Sequence, residues 1–72
     1  MANHDHIPTA DILQDIQDTQ QEIITMTKEE AGLRMVGDRM SIFRADARRA
    51  GIAERKEFIR KLESILSARG QL

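Results

Sequence analysis

From Ile12 to Ala50 the apolar or small residues recur mostly at steps of three and four: Ile12, Ile16, Thr19, Ile23, Met26, then Leu33, Val36, Met40, Phe43, Ala47 and Ala50, with Glu30 filling one slot. This is close to the 3.5-residue repeat by which helices interlock, and it does not fit the two-residue alternation of a half-buried strand. Leu13, Ile24, Met35 and Ile42 widen the seam into a face. A second amphipathic stretch follows, with Phe58, Ile59, Leu62, Ile65 and Leu66 inward and Gly70 placed to end it. No segment alternates with period two, so the expected fold is all-α.

The glycines decide how many helices there are. Gly51 is flanked by Arg48 and Arg49 before it and by Glu54 and Glu57 after it. Cations suit a helix C-terminus and carboxylates an N-terminus, so the charges predict a turn there. Such a turn would bring Phe43 against Phe58, the only aromatic residues. Gly32 and Gly37 are weaker candidates, because Leu33, Met35 and Val36 between them are apolar for a surface connection. The reading is therefore a helical hairpin: a long helix over about 10–49, able to bend near Gly32 and Gly37, a turn at Gly51, and a shorter helix over about 53–68. Its core would be Val36, Met40, Phe43, Phe58, Ile59, Leu62, Ile65 and Leu66. The alternative is a three-helix bundle, in which Asp38 caps a new helix. Residues 1–8, closed by Pro8, read as a flexible tail, with Thr9 as N-cap of a single helical domain over 9–72.

Composition narrows the function classes. A chain of 72 residues buries only about 60% of its unfolded surface and has little core to spare. Without cysteine it has neither disulfides nor a thiolate metal site. No apolar run approaches the ~20 residues that span a bilayer, and the opening Met-Ala-Asn-His-Asp-His lacks the pattern of a secretory signal. The expectation is a cytoplasmic protein with no membrane partner. The net charge of -1 conceals an asymmetry: residues 1–32 hold seven carboxylates and one lysine, residues 33–72 ten cations and five carboxylates. Halves so charged are suited to lie against each other.

Catalytic and metal chemistry find little support. The only histidines, His4 and His6, fall in the tail, so no activated hydroxyl nucleophile can be assembled on rigid elements. Asp11, Asp15, Asp18 and Glu22 form one stripe down one helix, whereas hard-cation sites converge from several directions. The Ala2-Asn3-His4 start could wrap Cu(II) or Ni(II), but in a tail it assigns no site. No enzyme, cofactor or metal is expected.

The expected function is binding: a small self-associating protein–protein interaction module, an adaptor or regulatory subunit. The long-helix reading leaves Ile12, Ile16, Ile23 and Met26 uncovered, since a helix of about 16 residues reaches only ~24 Å. It therefore predicts an antiparallel homodimer coiled through that seam, with Asp15, Asp18 and Glu22 of one copy near Arg44 and Arg48 of the other. Two alternatives are a nucleic-acid-associated protein using Arg44, Arg48, Arg49 and Arg55, and a structural component of a larger assembly. Interrupting carboxylates and the lack of Tyr and Trp for base stacking disfavour nucleic acid.

Overall fold

A computed structural model describes residues 6–71. The first five residues of the expected tail lie outside that range. Two helices account for the fold, α1 (Thr9–Val36) and α2 (Arg39–Ala68), packed side by side in an antiparallel hairpin of 47 × 20 × 16 Å. There is no strand among the described residues.

The chain reverses at Gly37 and Asp38, not at Gly51. Gly37 has φ 80°, a left-handed conformation that costs a side-chain-bearing residue energy, and its N–H donates to the Leu33 carbonyl. Asp38 then caps α2, its carboxylate accepting from the Ser41 amide at 2.7 Å. A reversal needs both halves of this device: a glycine to end one helix and a short polar side chain to start the next. Gly51 has only the first half. Ile52, Ala53 and Glu54 follow it and offer no cap, so the backbone there stays helical. The arginines around Gly51 reach carboxylates of α1, and Glu57 pairs with Arg60 one turn on in the same helix, so these charges do not mark helix ends. The three-helix reading is right that Asp38 caps a new helix, but the helix before it runs through Gly32 and ends at Gly37, and there is no break at Gly51.

The start of α1 also differs from expectation. Pro8 occupies the cap position and its carbonyl accepts from Asp11 and Ile12, while Thr9 is already helical. The Thr9 hydroxyl instead accepts from Arg69 Nη1 at 3.2 Å, tying the two ends of the hairpin together. At the other terminus Gly70, with φ 72°, ends α2 as expected.

Moving the turn resets the phase of everything beyond it. The α1 seam is as read, with Ile12, Ile16 and Thr19 buried and Ile23, Met26, Glu30 and Leu33 half-buried. On α2 the buried residues are Ala45, Ile52, Ile59, Leu62 and Leu66. Ile12, Ile16, Ile59, Leu62 and Leu66 form one cluster, with Ile23 and Ile65 packed on it, at the end of the hairpin away from the turn. The expected core is thus right for Ile59, Leu62 and Leu66, with Ile65 at its margin. It is wrong for Val36, Met40, Phe43 and Phe58, all of which are exposed. Phe43 and Phe58 lie on the same helix, about 22 Å apart along its axis, and do not meet across a turn. The expected interchain seam of Ile12, Ile16, Ile23 and Met26 is spent on α2 of the same chain.

Gly51 has a different use. A Cβ built on it would approach Met26 Cε to 2.6 Å, so its bare backbone admits the Met26 side chain between the helices. That obstruction is the far end of a flexible side chain and can swing away.

The two glycines should therefore respond oppositely to alanine. Gly37→Ala is expected to cost about 1–2 kcal/mol by forcing a side chain into left-handed backbone. Gly51→Ala is expected to be near neutral, repacking of Met26 being offset by up to ~1 kcal/mol of helix propensity. Urea unfolding of the two variants measures both. In the same assay Ile12→Ala and Leu66→Ala should each cost about 2–5 kcal/mol, and Phe43→Ala should stay within ~0.5 kcal/mol of wild type. The opposite ranking is required if Phe43 were core.

Candidate interaction surface

The most exposed of the large apolar side chains gather at the turn end. Met35 is 87% exposed, Phe43 70%, Val36 66% and Met40 59%. Met35 and Val36 are the last two residues of α1, and Met40 and Phe43 lie in the first two turns of α2, so the reversal at Gly37 and Asp38 brings all four to the same end of the hairpin. Single exposed apolar residues are ordinary, but four at one tip of a small protein form a patch.

The patch continues along α2. Met40, Phe43, Ala47 and Ala50 follow steps of three and four, and Glu54, Phe58, Lys61 and Ile65 prolong the same stripe. This outward stripe belongs to the same periodicity that, on the sequence, reads as core. The turn changes its side without changing its spacing.

Rigidity at the tip comes from the cap and from ion pairs. The Asp38 carboxyl is held below its ordinary value, first by the backbone and side-chain hydrogen bonds from Ser41, then by the nearby Arg44 charge. Behind the tip, Glu30 accepts from Arg34 at 2.9 Å and from Arg49 at 3.2 Å, and Arg34 also reaches Asp46 at 3.0 Å. The two hydrogen-bonded carboxylates hold the Arg34 guanidinium firmly charged. Further along, Arg48 meets Glu29 at 3.2 Å and Arg55 meets Glu22 at 3.1 Å.

These contacts place the remaining residues singled out on the sequence. The acidic and basic halves do lie against each other, but within one chain. Glu22 and Arg48, expected to reach across to a second copy, each have a partner on the neighbouring helix of their own chain. Asp15 makes no ion pair among the described residues, Asp18 accepts only from Gln14, and Arg44 has only the nearby Asp38. Of the four arginines offered to nucleic acid, Arg48, Arg49 and Arg55 are held by α1 carboxylates. The sequence reading missed Ala45 and Ile52. A signal was present: Ala45, Ile52, Ile59 and Leu66 recur every seven residues.

Among the described residues no group of three or more His, Cys, Asp and Glu could hold a metal ion, and no helix is long and apolar enough to cross a membrane. An open groove lies between the helices beside Asp18, Glu22, Met26 and Arg55. No protein-family model, no curated protein and no solved structure matches the chain.

Acid should loosen the tip in a defined order. Because the Asp38 carboxyl titrates lower in the folded chain than in the unfolded one, its contribution is complete above the ordinary carboxylate value. It is lost as pH falls through the folded value. The protection of the Ser41 amide against exchange, relative to its intrinsic rate at each pH and followed by NMR from pH 5 downward, should fall through that range. Asp38→Asn keeps a competent cap and should remove this step.

Proposed function

We propose that this chain is a non-enzymatic helical module that acts by binding protein, through the apolar stripe that begins at the turn. The observation that carries the reading is the exposure of Phe43, at 70%, among Met35, Val36 and Met40. Four large apolar side chains held rigidly in water are a standing cost that a protein partner removes. Aromatic and methionine side chains are also the types enriched where protein surfaces meet.

Nucleic acid remains the weaker reading. Three of its four proposed arginines are neutralised by carboxylates of α1, and releasing them would sacrifice the contacts that register the two helices.

A photo-crosslinking residue tests the proposal directly. p-Benzoylphenylalanine in place of Phe43 retains an aromatic ring at an exposed site. Illumination in the cells from which the chain derives should give discrete protein adducts. The same group in place of Ser67, on another face of α2, should give few. Absence of adducts from position 43 would sink the protein-binding reading.

A further inference from the structure

We propose that the apolar tip is a peroxide-sensitive modification site: oxidation of Met35 and Met40 to sulfoxides releases the protein bound there and leaves the hairpin folded. The inference rests on the protein-binding reading and adds the regulation of that surface. Three observations carry it: which sulfurs the chain has, where the fold puts them, and what holds the turn between them.

The chain has no cysteine, tryptophan or tyrosine, so its methionine thioethers are the groups that a peroxide attacks first. Three of the methionines lie among the described residues, and they fall into two environments. Met35 is 87% exposed and Met40 59%. Met26 is half-buried between the helices, its methyl group against the bare backbone of Gly51. Met35 stands just before Gly37 and Met40 just after Asp38, so the reversal brings both exposed sulfurs to the same end of the hairpin. With Val36 and Phe43 they make that end apolar.

The step balances with a hydroperoxide as its one co-reactant. A lone pair on the methionine sulfur attacks an oxygen of hydrogen peroxide or of an alkyl hydroperoxide. The S–O bond forms as the O–O bond breaks, and sulfur gives up two electrons. The transferred hydroxyl passes its proton to the leaving oxygen, which departs as water or an alcohol. An apolar side chain has become a polar one, and methionine sulfoxide reductases reverse the change.

The fold confines the effect to the surface. The reversal is held by the left-handed backbone of Gly37 and by the Asp38 carboxylate on the Ser41 amide, and neither device involves sulfur. In water the two sulfoxides stay solvated. Against a partner's apolar surface each would be stripped of water with no donor in return. An oxygen on Met26 would act differently, because it would enter the space between the helices. The sulfurs left open are those whose oxidation alters binding alone, and the one sheltered is the one whose oxidation would loosen the hairpin.

Timed treatment of the full chain with dilute hydrogen peroxide, followed by tryptic mass mapping, reads the sites separately, since Met35 and Met40 fall in different peptides, 35–39 and 40–44. Both should oxidise about fivefold faster than Met26 or more, with helical circular dichroism unchanged at that stage. With p-benzoylphenylalanine at position 43, the chain so oxidised should give roughly fivefold fewer protein adducts in an extract of its source cells than the reduced chain. Reductase treatment should restore them. Met35→Leu with Met40→Leu keeps the tip apolar and should give adducts that peroxide does not diminish. Equal oxidation of Met26, or loss of helix as Met35 and Met40 oxidise, overturns the switch. So does continued peroxide sensitivity in the double leucine variant. The reduced chain separates this failure from that of the reading beneath it. Adducts that persist at full yield on the sulfoxide form leave protein binding standing and remove its regulation, whereas no adducts from the reduced chain remove both.

Discussion

Gly37 takes a left-handed backbone that closes α1 onto the Leu33 carbonyl, and Asp38 immediately supplies the acceptor that opens α2 at Ser41. Between them the chain reverses in two residues, too few for either helix to choose its rotation freely. The rotation of α2 about its own axis is therefore set at the turn, and with it which residues become core. Ala45, Ile52, Ile59 and Leu66 go inward. Met40, Phe43, Ala47 and Ala50, no less apolar as a group, go outward.

Electrostatics reinforces this choice more than it drives it. Surface ion pairs contribute about 0–1 kcal/mol each, whereas burying an isoleucine or leucine contributes about 1.5–3 kcal/mol. The cluster of Ile12, Ile16, Ile59, Leu62 and Leu66 thus supplies most of the stability, at the end far from the turn. The pairs Glu22–Arg55, Glu29–Arg48 and Glu30–Arg49 occupy the middle and the tip, where the apolar seam thins out. Their value is in register. Sliding one helix by a turn would bury the same kinds of surface but would strand these charges. The hairpin is held at its open end by packing and at its closed end by a covalent reversal, with charge aligning the length between them.

This division explains what could be read from the sequence. The all-α hairpin and the inward face of α1 as far as Leu33 follow from periodicity, which depends only on local spacing. The terminal part of α2, from Ile59 onward, was legible for the same reason. The middle was not, because a seam of threes and fours passes through Gly37 without a visible break, and spacing carries no information about which side a reversal will turn. The deciding signal was chemical. Gly37 is followed by a capping Asp38 with its acceptor ready for Ser41, and Gly51 is followed by Ile-Ala-Glu. Charge near Gly51 imitated helix ends because arginines near a C-terminus and arginines reaching for a neighbouring helix look alike in one dimension. The apolar content of Leu33, Met35 and Val36 argued against a turn only on the assumption that apolar residues are inside. That rule holds in one direction only.

The misplaced turn also changes where a function can reside. With the reversal at Gly51, the first half of α1 would be the sticky surface and the arginine-rich middle would be free. With the reversal at Gly37, Ile12 is fully buried and the arginines are largely occupied, so neither is available to a partner. What remains available is the stripe that the turn rotated outward, together with the few charges the hairpin did not pair. Among the described residues those charges are of both signs on both helices, with Asp15, Asp18 and Lys28 on α1 and Glu54, Lys56, Lys61 and Glu63 on α2. It is therefore the apolar stripe and not the leftover charge that singles out a surface.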